Sequence, residues 1–427
     1  MIRRARIVAL AFTAGQLFSC NQILGISERG LDPHLSCDGG GCACVAGFAD
    51  CDGNENNGCE ADLSSTTSCG GCGRRCDNGQ CAQGLCACGD GYGDCNGRAA
   101  DGCEAMLDAD PRNCGACGHD CLGGACVSRR CQPAAIVPLG TYNRGVLVPH
   151  GDHVYLSSWT DPRIARIPVA GGAAEVLVHG LVHLGPLALA PDTLYWPAGI
   201  ALFSLPVTQT TGGASPKIVV DQAKAYVTMS TAAFAVGGGY AYWQEETPAI
   251  PSSLSRVSLT SGLIERGLWE GKTFLINQMV TDDSNLYFCD GFSLFALAHG
   301  GGTVVNFGDF SPVGGFAVHG ANIFYTDFSN EYILRIPTKG GASVMLAASP
   351  QPGAVAADGE AVYWIDPVNG AVVRFVLGSS AIETVATGQD FAEALPTPTP
   401  MLNRQTIMVD DKAIYWSTQT RFMKLAK

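Results

Sequence analysis

Gly353-Ala-Val-Ala-Ala-Asp-Gly-Glu-Ala-Val-Tyr363-Trp364 is an apolar run, a turn, and a second apolar run that closes on two aromatics. Small alternating apolar residues on either side of an Asp-Gly turn predict a β-hairpin. The same text returns as Leu187-Ala-Leu-Ala-Pro-Asp-Thr-Leu-Tyr195-Trp196 and, in looser form, five more times. The first aromatic of each pair is Tyr155, Tyr195, Tyr242, Tyr287, Phe324, Tyr363 or Tyr415, at spacings of 37 to 52 residues. A hairpin cannot bury its own apolar faces, so a self-similar unit of this length predicts small sheets packed in a ring. The reading is all-β: a seven-bladed propeller of four-stranded antiparallel blades over residues 134–427.

Each repeat supplies the strands such a blade needs. The third carries a basic residue in an apolar frame: Ile164-Ala-Arg166-Ile-Pro, Leu254-Ser-Arg256-Val-Ser, Ile333-Leu-Arg335-Ile-Pro, Val372-Val-Arg374-Phe, Phe422-Met-Lys424-Leu. A glycine-rich turn usually follows, as at Gly171-Gly172 and Gly340-Gly341, and then a fourth strand such as Glu175-Val-Leu-Val178. The seventh repeat stops after its third strand, whereas Ala134-Ala-Ile-Val-Pro-Leu-Gly140 stands before the first hairpin as an orphan fourth strand. Pairing the two closes the ring and removes its open edge. The run Leu395-Pro-Thr-Pro-Thr-Pro400 lengthens the connection into the seventh blade and predicts an extended loop.

Upstream the composition changes. Of 20 cysteines, 18 crowd between Cys37 and Cys131, which predicts disulfide-built modules in an oxidising compartment. The region duplicates itself. Cys37, Cys42, Cys44, Cys51 and Cys59 recur as Cys81, Cys86, Cys88, Cys95 and Cys103; Cys69, Cys72, Cys76, Cys81 and Cys86 recur as Cys114, Cys117, Cys121, Cys126 and Cys131. Two modules, about 37–80 and 81–131, are expected. Few large apolar side chains are present to offset the ordering entropy, so disulfides must do so. Their connectivity is not fixed by spacing. Cys-x2-Cys-x3-Cys runs also admit zinc or an iron–sulfur cluster. Asp50, Asp52, Asn54 and Glu60 offer a weak calcium candidate, although the second copy carries Asn96 and Arg98 in place of Asp52 and Asn54.

At the start, Arg3, Arg4 and Arg6 precede the apolar run Ile7 to Phe18, which is shorter than the ~18 residues a spanning helix needs. It closes on Leu17-Phe18-Ser19-Cys20, which resembles the bacterial lipobox. That resemblance implies a signal peptide over 1–19, a lipidated Cys20, a tether over 20–36 and an envelope location, outer membrane or surface. An ordinary signal peptide cut nearby is the alternative. The tandem cysteine modules resemble those of secreted and surface proteins of myxobacteria. In the propeller, Phe324-Tyr-Thr-Asp327, Tyr363-Trp-Ile-Asp366, Tyr287-Phe-Cys-Asp290 and Tyr242-Trp-Gln-Glu245 resemble the YWTD motif of lipoprotein-receptor-type propellers, a six-bladed family. Tyr155-Leu-Ser-Ser158, Tyr195-Trp-Pro-Ala198 and Tyr415-Trp-Ser-Thr418 lack its acid.

With 15% charged residues and net charge −13, the chain is too apolar for a disordered protein and too acidic to be held by nucleic acid. The loops between second and third strands, with those between blades, gather Asp161, Glu245, Glu246, Asp290, Asp327, Glu331 and Asp366 on one face, a candidate acidic binding rim. The structural alternative pairs the second-strand acids with Arg256, Arg335 and Arg374. His179 and His183, near Glu175, are the only basis for an enzyme, a metal-assisted propeller lyase or hydrolase; His150, His153 and His319 fall on the opposite face. Cys289 reads as a buried small residue. No nucleophile elbow or phosphate-cradling loop is present. The expected function is therefore binding of a protein or glycan partner without catalysis or cofactor, from a lipid anchor at the membrane. An envelope enzyme and a scaffold subunit are the alternatives.

Overall fold

The computed structural model describes residues 32–38, 41–54, 57–98, 100–138, 146–158, 162–208, 215–221, 228–247, 250–271, 276–310, 313–391 and 406–427. The expectations for the signal peptide, Cys20, most of the tether, Asp161 and the 395–400 loop lie outside these residues. All described regular structure is β, in seven four-stranded antiparallel sheets and five two-stranded hairpins. The chain divides into two compact units between Leu107 and Asp108.

Six blades take their strands in sequence order. The quoted stretch forms the two inner strands of the sixth, Val355–Ala357 and Ala361–Asp366, followed by Ala371–Val376 and Ile382–Ala386. The seventh is assembled from Ile407–Val409, Ala413–Ser417 and Arg421–Ala426, with Ala134–Pro138 as its outer strand. Ala134 lies opposite Lys424 and Ala135 opposite Met423, so the ring closes as the orphan strand requires. In all seven sheets the ladder to the outer strand carries a register shift, the seam included. A bulge there twists the exposed edge away from a flat template, which protects it against pairing with other chains.

The aromatic pair explains why the repeat makes a ring. Successive strand residues point to opposite sheet faces, so one ring of each pair faces the preceding blade and the other the following blade. Trp364 packs against the fifth blade, beside Phe324 and Ile333, while Tyr363 packs into the seventh, beside Ile414 and Trp416. The same division holds for Tyr242 and Trp243, Tyr287 and Phe288, and Tyr415 and Trp416. Seven apolar clusters result, one at each blade interface. Trp196, Trp243, Trp364 and Trp416 are among the largest fully buried side chains, each contributing on the order of 3–5 kcal/mol.

The turn aspartate of the quoted stretch also has a role. Asp358 accepts the backbone N–H groups of Glu360 and Ala361, and the Tyr363 hydroxyl five residues on at 3.2 Å. Asp282 with Tyr287 and Asp410 with Tyr415 repeat the arrangement. Burial, with Asp282 second, pushes the Tyr287 hydroxyl up to about 12.

Among the described residues of the first unit the buried hydrophobic ones are Cys59, Cys69, Cys76, Cys103 and Ala105, so cystines take the place of a core there. The bonds are Cys37–Cys42, Cys44–Cys59, Cys51–Cys72, Cys69–Cys81, Cys76–Cys86 and Cys88–Cys103. In the second unit Cys114–Cys126 and Cys121–Cys131 repeat Cys69–Cys81 and Cys76–Cys86; Cys95 and Cys117 are disulfide-bonded as well. Two of these bonds cross the expected module boundary at 80–81, so the bonding pattern repeats from Cys44, not from Cys37. Cys37 and Cys42 face each other in a hairpin, as Cys81 and Cys86 do. The later pair bonds back to Cys69 and Cys76; the earlier pair has no described cysteine before it and bonds to itself.

Candidate functional site

The face built from the second-to-third-strand turns and the blade connections is the one expected to carry an acidic rim. Glu245, Asp290, Asp327 and Asp366 do hold equivalent places there, at or just past the ends of second strands. Their carboxylates are largely withdrawn. Asp366 is 5% exposed and accepts from Asn369 through both its backbone N–H (3.0 Å) and its side-chain amide (2.8 Å). Asp327 does the same with Asn330 at 2.9 Å for each bond. Glu245, 6% exposed, is held by Arg266 Nε at 2.9 Å. Asp290 is half-buried and accepts from the N–H groups of Phe292 and Ser293. Glu331 is exposed with a left-handed backbone, φ 62°. Glu246 holds its strand position opposite Thr228.

These acids do not pair with the third-strand arginines, and the register shows why. Tyr363 is opposite Arg374, but Asp366 is opposite Ala371, three rungs or about 10 Å along the strand. The arginines reach outward to a glutamate nine residues on. Arg166 pairs with Glu175, Arg256 with Glu265 and Arg374 with Glu383, each directly opposite on the outer strand. Arg256 is 4% exposed; it also donates to the His299 carbonyl at 2.7 Å and lies 4.1 Å over the Tyr240 ring. Arg335 faces Val344 and Lys424 faces Ala134, so neither has a carboxylate opposite. An Arg-x8-Glu spacing was the available signal in the sequence.

This face also exposes apolar side chains among its polar ones. Val182 and Val368 are 66% and 57% exposed, with Ile200 and Tyr332 also open to solvent. Val182 and Ile200 are neighbours: Leu184 bridges to Ala198, and Gly199 N–H donates to His183 O at 3.3 Å. His179 and His183 are exposed beside them. Among the described residues neither belongs to a grouping of His, Cys, Asp and Glu close enough to share a metal ion. His150 contacts Asp192 at 3.1 Å on the opposite face.

Asp50, Asp52 and Glu60 do lie close enough to share a cation, and all three are exposed. Asp50 caps Gly53 N–H and Glu60 accepts from Cys51 N–H; Asp94 and Glu104 make the same bonds to Gly97 and Cys95. The second copy builds this turn with Asn96 in place of Asp52, so the turn itself needs no ion. The thiolate readings do not fit: Cys114, Cys121 and Cys131, which lie close together, are in disulfides. Cys289 is buried, and burial pushes its thiol up to about 12, which makes it unreactive. No described helix is long and apolar enough to cross a membrane.

No protein-family model matches the chain, and no curated protein matches its sequence. Solved structures do. A catalytically inactive variant of virginiamycin B lyase from Staphylococcus aureus with quinupristin is 13% identical at a TM-score of 0.51, over 69% of this chain and 99% of that one. A streptogramin B lyase is 12% identical at 0.51, over 69% and 96%. A nidogen/laminin complex is 15% identical at 0.40, over 55% and 93%. At these identities the likeness to the two lyases extends to the fold and stops there.

Proposed function

We propose that the chain is a cell-envelope lipoprotein whose propeller binds a protein or glycan partner without catalysis. The disulfides make it an exported or extracellular protein, because such bonds persist in oxidising compartments. The lipid anchor at Cys20 rests on the lipobox-like text alone. One observation carries the binding reading: the face of the second-to-third-strand turns withdraws Glu245, Asp327 and Asp366 and exposes Val182, Ile200, Tyr332 and Val368. Apolar and aromatic tips on a rigid ring suit contact with a protein surface or a sugar face.

Capture from intact envelopes with the soluble chain tests this reading. A partner retained by the parent and lost with Val182→Asp/Val368→Asp supports it. A partner indifferent to both substitutions contradicts it. The enzyme reading, on His179 and His183, predicts instead that His183→Ala abolishes turnover of an envelope or antibiotic substrate while the fold stays intact. Mass measurement of the mature amino terminus tests the anchor: diacylated Cys20 supports it, and an unmodified terminus contradicts it.

A further inference from the structure

The seventh blade is closed differently from the rest. In six blades the third and outer strands form a local hairpin; in the seventh, Ala134 meets Lys424 across almost the whole ring. Closure therefore carries the chain entropy of that entire loop. The Arg–Glu pair that ties the outer strand in blades one, three and six is missing too, since Ala134 stands opposite Lys424.

The last cystine loop supplies what the seam lacks. Cys131, three residues before the outer strand begins, is bonded to Cys121, which fixes the strand at its start. His119 reaches the other side: its ring nitrogens lie 2.6 Å from the carbonyl oxygens of Cys114 and of Lys427, just past Arg421–Ala426. Leu122 packs into the cluster between blades seven and one, and Cys131 into the cluster between six and seven. Gly123 passes so near the first blade that a Cβ there would sit 2.6 Å from the Ala170 carbonyl oxygen. Beneath the loop, Lys424 is 1% exposed and donates to the Val169 carbonyl of the first blade.

We propose that the Cys114–Cys131 loop is a clasp that holds the ring shut, so that closure of the propeller depends on the two cystines formed within it, Cys114–Cys126 and Cys121–Cys131. A dithiol such as dithiothreitol delivers two electrons and two protons to each cystine. It leaves two cysteine thiols and is itself oxidised to a cyclic disulfide. Reduction thus releases the outer strand's anchor and the frame that positions His119.

The test is hydrogen exchange on the full chain, with thiol state verified by mass. On reduction, protection in Ala134–Pro138 and Arg421–Ala426 is expected to fall about tenfold or more, while Asn285–Cys289 and Ala361–Asp366 keep theirs. Unchanged seam protection, or an equal loss in every blade, overturns the proposal. Cys121→Ser/Cys131→Ser should reproduce the seam effect, and Cys76→Ser/Cys86→Ser, the matching bridge of the earlier copy, should not. Equal effects of the two overturn it. Should the first pair fail to fold, His119→Ala in the oxidised chain decides: faster exchange confined to the seam supports the clasp, and parental exchange contradicts it.

Discussion

The cystine-rich first unit and the propeller are both repeats, yet they are stabilised from opposite resources. Residues 32–107 bury four cysteines and an alanine; the propeller interleaves aromatic pairs between blades. In the first, the six bonds named above close short loops, with sequence separations of 5 to 21. In the second, each aromatic acts across two sheets far apart in sequence. Covalent staples make a unit whose order is local and redox-dependent, whereas interlocked side chains make a ring whose order depends on closure.

The largest expected effect breaks the two apart. Each cystine of a short loop contributes roughly 2–4 kcal/mol, so full reduction should unfold residues 44–86, read as complete amide exchange. All six tryptophans follow Cys131, so their emission reports on the propeller alone and should keep its buried position. A red shift on reduction would remove the distinction. Next, Trp364→Ala should lower stability by about 3–5 kcal/mol in denaturant titration, against less than about 0.5 for exposed Val368→Ala.

A finer contrast lies within one motif. Glu265→Gln leaves the guanidinium of Arg256 buried without its carboxylate and should cost about 2–3 kcal/mol. Glu383→Gln, at a more exposed pair, should cost less than about 1 kcal/mol. Equal losses would mean that burial does not set the strength of these pairs. Another expected effect is a slope. Burial pushes the Lys424 ammonium down to about 8, with the Asp120 charge acting the other way. The stability its neutral form confers is fully present above the ordinary lysine value and is lost as pH falls through about 8. Stability should therefore rise with pH across that window, and Lys424→Met should flatten the rise.

The ring was legible because its signal is periodic and two-sided. Tyr363 and Trp364 announce both a strand and a neighbour on each face, and the orphan Ala134–Pro138 announces the seam. The acids were not legible, because strand adjacency does not give rung number: Asp366 and Arg374 share a hairpin but sit three rungs apart. The outer-strand bulge hid the true partner, Glu383, since it shifts the register by which one would count. The cystine pattern was hidden for a similar reason. Cys37 and Cys81 look equivalent in text, yet Cys37 bonds to Cys42 within its hairpin while Cys81 bonds back to Cys69. The aspartates of the first-to-second-strand turns were visible as turn formers, but their second bond, to a tyrosine five residues on, requires the hairpin in three dimensions.

Ring closure carries the rest of the account, and one engineered crosslink tests it most directly. Ala135 and Met423 are directly opposite at the seam. In Ala135→Cys/Met423→Cys, oxidised and digested without prior reduction, the account predicts a single new peptide pair joining positions 135 and 423 in a chain that keeps its parental stability or exceeds it. Both new thiols recovered free, or bonded elsewhere, would show that the ends do not meet and that the ring is open.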